Sequence, residues 1–305
     1  MAGKGRISTA MVVASGTLLE APPAGAEQRL QALLARACLS DCGHLGERLL
    51  RLLDNRCGRT LLRCAQALTL PGIAAHYRWR KRRIRAWAKE GIDAGARQLI
   101  VLGAGFDALA TILVQADLRL LRAIEIDLAV HQKVKRLAMR RLGLDHPRLS
   151  LVEADLESQS LPALLANADG FDGDVPSVVV AEGLLMYLSP PSLQALFGGL
   201  ATSLSAPSTI IATAMATGTD ALPRFRAQRP WLRHWLRQRG EPFLWGCGAE
   251  ALPGALRAPG LRIDAIADPD HPHDPDPCPG EWLFRATLPA RATSRKHRSP
   301  SPSDR

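Results

Sequence analysis

The sequence predicts an α/β fold carrying a parallel sheet, and three observations predict it. After Arg97, apolar runs of about five residues recur at Gln98 to Leu102, Arg122 to Ile126, Leu149 to Val152, Ser177 to Ala181 and Thr209 to Thr213, as strands covered on both faces do. A helix-length spacer follows each run, which is what crossovers between parallel strands require. Ahead of Arg97 the period changes, and apolar residues return every three or four positions, as in amphipathic helices.

Each element can be justified in order. The N-terminal stretch MAGKGRISTAMVVASGTLLEAPPAGA has a basic start and an Ala-x-Ala-like end, the outline of a secretory leader. Ser15, Gly16, Thr17 and Glu20 interrupt its apolar centre, so export is not expected. From Ala26 to Ala67 the spacing of Leu30, Leu33, Leu34, Leu45, Leu49, Leu50, Leu53, Leu61 and Leu62 predicts packed helices. A further helix runs from about Ala74 to Ala94, closing near Gly91 and Gly95. The five strands follow. Two more candidates, Leu261 to Ile266 and Trp282 to Leu288, are separated by the Pro, Asp and His residues of Asp268 to Pro279, too stiff for a helix, and should be antiparallel neighbours. The expected organisation is a helical N-terminal extension over 1–96, an α/β unit over 97–289, and a disordered basic tail over 290–305, where ATSRKHRSPSPSDR is too polar to bury surface.

Composition excludes several classes. With 305 residues, 47% hydrophobic and 22% charged, the chain can bury a core, and bulk disorder is ruled out. It contains no apolar run of about eighteen residues, so no membrane partner is expected. The net charge of +10 invites anionic partners. Much of the excess sits at Arg78 to Arg85 and Arg291 to Arg305, not along one face, and aromatic residues are only 5%, so no specific nucleic acid is expected. Six cysteines without a CxxC pair fit a reducing, cytoplasmic compartment. Cys38, Cys42, His44, Cys57 and Cys64 match no structural zinc spacing, and no metal is expected; Cys38/Cys42 and Cys57/Cys64 read instead as small apolar groups on helix faces.

The sharpest chemical feature is QLIVLGAGFD, residues 98–107. An apolar strand runs into a Gly103-x-Gly105 turn that opens a helix, where the backbone can approach a ligand closely and free N–H groups point at it. An ordinary strand-to-helix turn has the same signature. The next strand ends in Glu125-Ile-Asp127, 20 to 24 residues after the turn, where a carboxylate can grip a ribose diol. Asp127 could equally cap the following helix. Asp155 and Glu182 fall at the same edge after the third and fourth strands, although each could serve a turn or a helix start. A nicotinamide dinucleotide and S-adenosylmethionine both fit a glycine turn with a ribose acid. The late position of the turn and the closing antiparallel strand pair suit a seven-stranded methyltransferase sheet better than a dinucleotide unit.

Taken together, QLIVLGAGFD, the EID of Glu125 to Asp127 followed by Lys133, ADL at 154–156, VAEGLLMYL at 180–188 and the preceding HYRWRKRRI at 76–84 resemble the leucine carboxyl methyltransferase-type family of class I S-adenosylmethionine-dependent O-methyltransferases, including its polyketide-associated bacterial branch. The resemblance covers about Pro71 to Met215. It implies a Rossmann-like class I methyltransferase fold, a seven-stranded mostly parallel sheet with helices on both faces, and S-adenosyl-L-methionine as cofactor. Carried over to matching positions, it implies that Gly103 and Gly105 line the methionine part of the cofactor, Asp127 holds the ribose, Asp155 and Leu156 border the adenine, and Glu182 reaches the amine. Arg80, with Arg78 and Arg82 as register alternatives, would pair with the cofactor carboxylate, a task that suits a bidentate guanidinium. The chain departs from many relatives at Ala108 and Leu109, where Thr and Arg are common, and the likeness thins after Met215, ahead of the Trp/Arg-rich Pro230 to Trp245.

The expected activity is methyl transfer to an oxygen, carboxylate or hydroxyl, of a small-molecule or peptide acceptor. Such a displacement needs positioning and exclusion of water but no protein nucleophile. If a base is used, His76 or Tyr187 is the candidate. The competing readings are an NAD(P)-dependent oxidoreductase and a non-catalytic nucleic-acid-binding module.

Overall fold

A computed structural model of the chain describes residues 7–19, 25–238, 240–256 and 260–290. From residue 291 on, the predicted tail lies outside the described residues. Five helices come first: α1 (Thr9–Leu19), α2 (Ala26–Asp41), α3 (His44–Asp54), α4 (Arg56–Thr69) and α5 (Ile73–Asp93). Asn55 starts α4 by accepting a hydrogen bond from the Gly58 N–H at 2.8 Å, satisfying one orphan donor of the first turn.

Strands and helices then alternate: β1 (Gln98–Leu102), α6 (Leu109–Ala116), β2 (Arg122–Asp127), α7 (Ala129–Leu142), β3 (Leu149–Glu153), α8 (Leu161–Ala166), β4 (Ser177–Ala181), α9 (Pro190–Ser203) and β5 (Ser208–Met215). Two helices, α10 (Pro230–Gln238) and α11 (Leu252–Leu256), precede β6 (Arg262–Ile266) and β7 (Glu281–Leu288). The strands form one seven-stranded sheet in the order β3-β2-β1-β4-β5-β7-β6. The ladder from β3 to β5 is parallel, and β7 enters antiparallel between β5 and β6. Because β7 runs the other way, its first residue, Glu281, pairs with Met215 at the carboxyl end of β5.

Alternation along the strands feeds two cores. Ile100, Leu102, Ile124, Ile126, Val179 and Ile210 face α8, α9 and α11, whereas Leu99, Val101, Val178, Val180 and Ile211 face α5 and α6. Each such side chain contributes about 1.5–3 kcal/mol on leaving water. A third cluster joins α1 and α2 to α6 and α7 through Met11, Leu34, Phe106, Ile112 and Met139, so the leading helices brace the half of the sheet that carries β1 and β2.

Among the described residues no helix is long and apolar enough to cross a membrane, and no group of His, Cys, Asp and Glu side chains is arranged to hold a metal ion. One cysteine expectation is corrected. Cys38 is buried and Cys42 half-buried, but Cys57 and Cys64 lie on the exposed face of α4, which turns Gly58 inward instead. The basic run also resolves into internal pairs. Arg80 meets Glu182 and Glu281, Lys81 meets Asp107 and Glu182, Arg82 and Arg83 meet Asp274, and Arg85 meets Glu27. A nucleic-acid face would need those charges free for phosphates, and of these five only Arg82 is largely turned to solvent.

Candidate functional site at the carboxyl edge of the sheet

The turn after β1 is built on two glycines with positive φ, Gly103 at 67° and Gly105 at 49°. Gly103 leaves the strand by donating its N–H to Ile126 O at 2.8 Å. A Cβ at Gly103 would come within 3.1 Å of Leu184, in the loop after β4. Gln31 of α2 fastens the far side of the turn, accepting from Ala108 N at 2.8 Å and donating to Phe106 O at 3.4 Å. Ala10 of α1 is the nearest neighbour above Gly105, at 3.8 Å from a Cβ placed there. The N-terminus of α1 is tied by Glu241, which accepts from the N–H of Thr9 at 3.0 Å and from its hydroxyl.

Asp127 closes β2. Its Oδ2 accepts from Gly105 N at 2.5 Å, and its Oδ1 accepts from Leu128 N at 2.6 Å and lies 2.8 Å from His131 Nδ1. Burial opposes its charge, but these hydrogen bonds and the His131 charge outweigh burial and hold the carboxyl below its ordinary range. Asp155, after β3, is exposed and caps its own turn, accepting from Glu157 N at 3.0 Å, while Leu156 is buried beside it.

Beyond β4, Glu182 Oε1 lies 3.0 Å from Arg80 Nε, 2.9 Å from Arg80 Nη2 and 3.1 Å from Lys81 Nζ. Arg80, 4% exposed on the inner side of α5, also reaches Glu281 with Nη1 at 2.6 Å. Lys81 extends the chain of charges to Asp107 at 3.2 Å. Under the turn, Lys135 pairs with Glu125 at 2.6 Å and donates to Asp107 O, with no exposure. Burial raises the Glu125 carboxyl, and Lys135 works against it.

The structure therefore brings Gly105 against Asp127 and Arg80 against Glu182, with Gly103 between the two pairs. Asp155 and Leu156 stand at the same rim one strand further out. Of the register alternatives, Arg80 is the buried one, while Arg82 faces solvent against Asp274. Sequence reading gave no role to Lys81, Asp107, Lys135, Glu281 or Gln31. Periodicity did offer a clue for Lys135, because α7 turns Gln132, Lys135, Ala138 and Met139 inward, whereas Lys133 is exposed and 3.8 Å from Glu153. Glu281 gave none: its partners lie 201 and 205 residues away.

His76 is not available as a base. It has no exposure, and both ring nitrogens face carboxylates, Nδ1 at 2.6 Å from Asp276 and Nε2 at 3.2 Å from Glu281. Burial pushes the phenol of Tyr187 upward, away from a role in taking protons.

Comparison with known proteins bears on the family and the fold. A family model for leucine carboxyl methyltransferase matches residues 46–201, just over half of the chain. A protein of Mycolicibacterium smegmatis, provisionally named an S-adenosyl-L-methionine-dependent methyltransferase, is 39% identical over 121 residues, 39% of each chain. A relative from Mycobacterium sp. strain JLS with the same provisional name is 30% identical over 212 residues, 67% of this chain and 70% of its own. The chain spans about two fifths of the length of the curated relatives it matches first. A crystal structure provisionally described as a methyltransferase, from Thermobifida fusca, is 18% identical, covers 84% of this chain and 94% of its own with a TM-score of 0.55, and shares the fold. The chain belongs to the leucine carboxyl methyltransferase family.

Proposed function

We propose that the protein is an S-adenosylmethionine-dependent methyltransferase acting on an oxygen of a small-molecule or peptide acceptor, with a carboxylate favoured. The observation that carries the reading is the order of groups along the rim. A ligand laid across β3, β2, β1 and β4 meets Asp155 and Leu156, then Asp127, then the glycine turn, then Glu182 and Arg80. That order suits a purine, a ribose, a thioether chain and an amino-acid end, each against a group of matching chemistry.

The residues present fit the cofactor. The two glycines keep side chains out of the path of the ligand, Asp127 offers a carboxylate to a diol, and three of the five guanidinium N–H groups of Arg80 are engaged, leaving two for a carboxylate. A diphosphate fits poorly, because Asp107 sits at the start of α6 and accepts from Ala108 N at 2.8 Å. Lys81 and Lys135 overcome its burial and keep it ionised, so a carboxylate stands where a dinucleotide phosphate needs donors.

When bound, the cofactor supplies an electrophilic methyl group on a sulfonium. Arg80 and Glu182 orient the amino-acid end, Asp127 fixes the sugar, and α1 covers the turn against water. An acceptor carboxylate is already ionised at neutral pH, which suits a site where neither His76 nor Tyr187 is placed to take a proton. Calorimetry with S-adenosylhomocysteine and with NADH tests the reading. Micromolar binding of the first alone is expected; binding of NADH alone would overturn it. Transfer of labelled methyl to a base-stable product, in place of an alkali-labile ester, would overturn the carboxylate assignment.

A further inference from the structure

His76 is buried and stands outside the chemistry just described. On α5 it is one turn from Arg80, and its ring is stacked 5.9 Å from Trp79 and set edge-on to Phe225 at 5.5 Å. Its polar neighbours are Asp276, from the loop before β7, and Glu281, the first residue of β7. Tyr77 and Arg80 flank it on α5, and Cys278 lies beside Asp276, to which it donates its N–H at 2.9 Å. A neutral imidazole has one donor and one lone pair, and its lone pair would here face a carboxylate oxygen. The other oxygen of Asp276, Oδ2, is buried with no hydrogen-bond partner among the described residues. Two carboxylates, one at each ring nitrogen, favour the imidazolium. Burial disfavours that form, but the hydrogen bonds to Asp276 and Glu281 win and raise its pKa.

The network then has two unequal halves. Glu281 is held by His76 on one side and Arg80 on the other. Arg80 and Lys81 are both within 3.1 Å of Glu182, which stands on a loop beside the positive-φ Gly183. We propose that His76 is a positioning residue: through Glu281 it gives Arg80 a permanent anchor, so that the guanidinium can exchange Glu182 for the carboxylate of a bound amino-acid-bearing nucleoside without losing its orientation. The proposal rests on the reading of the rim as an S-adenosylmethionine site.

Calorimetry with two probes tests it. S-adenosylhomocysteine carries the amino-acid end, whereas 5′-methylthioadenosine keeps the adenosine and thioether and lacks that end. Wild-type protein is expected to bind both. His76→Gln and Glu281→Gln should each weaken S-adenosylhomocysteine tenfold or more and leave 5′-methylthioadenosine unchanged, a split that general loosening of the fold does not produce. Equal loss for both probes, or no loss for either, overturns the positioning role while the cofactor reading stands. A wild-type protein that binds neither probe overturns both. Should the variants fail to fold, nitrogen NMR of the wild-type ring decides: two protonated nitrogens at pH 6.5 uphold the anchor, and a neutral tautomer there overturns it.

Discussion

The carboxylate of Asp127 accepts the backbone N–H of Gly105 at 2.5 Å, joining the end of β2 to the turn after β1. The same side chain therefore shapes the turn and stands at the rim proposed to hold the ligand. Replacing it with Ala removes its bonds to Gly105, Leu128 and His131 together. The expected loss of S-adenosylhomocysteine affinity is about 2–4 kcal/mol, with a lower melting temperature in the absence of ligand. Calorimetry and a thermal melt on Asp127→Ala check both halves.

Two glycine substitutions should move stability in opposite directions. Ala at Gly103 keeps a φ of 67° and presses on Leu184, which should cost roughly 1–3 kcal/mol. Gly198, inside α9, has no heavy atom within 4 Å of a Cβ placed there, so Gly198→Ala should gain about 0.5–1 kcal/mol. Urea unfolding midpoints of the two variants give the comparison.

Stability should fall on the alkaline side of neutrality. His76 and His131 are each raised above the ordinary value of 6.5: burial works against the charge of both, while Asp276 and Glu281 favour it at His76 and Asp127 favours it at His131. A raised pKa in the folded state contributes stability that is complete below 6.5 and is lost as pH rises through the folded value. Glu281 works at the other end. Although burial opposes it, Arg80 and His76 hold it at about 2, so its contribution is present above 4.5 and disappears as pH falls toward 2. Denaturation midpoints of the wild type should drop as pH rises above 6.5, and His76→Gln should flatten that drop.

Thiol chemistry should separate the cysteines. Cys57 and Cys64 are exposed, whereas burial pushes the Cys38 and Cys278 thiols up to about 12 and those of Cys42 and Cys247 to about 11. An aromatic disulfide reagent should titrate two thiols rapidly in the native protein and all six after denaturation. More than two fast thiols would show that α2 or the β7 region opens readily.

Much of the architecture could be read from the residues because the central parallel strands β1 and β4 are buried on both faces and their interiors are apolar runs. The sequence places β1 and β4 at the residues where they stand, and β2, β3 and β5 within one or two residues of their ends. It reads the last strand from Trp282, yet β7 begins one residue earlier at Glu281, where burial is made tolerable by Arg80 and His76. The acids after each strand were visible for the same topological reason. Their partners were not. Gln31, Lys81 and Glu281 reach the rim from elements whose placement depends on tertiary packing, and periodicity cannot report which helix turn will meet which loop.

The reversed direction of β7 has one more consequence, for synthesis on the ribosome. Arg80 is made about 200 residues before Glu281, so an emerging chain can shape the glycine bend and its flanking strands while that cation has only Glu182 to hold it. Firm capture of a ligand's amino-acid end should thus wait until the final strand has left the exit tunnel, and early termination anywhere before Glu281 should yield a product that collapses around its apolar strands yet grips that end poorly.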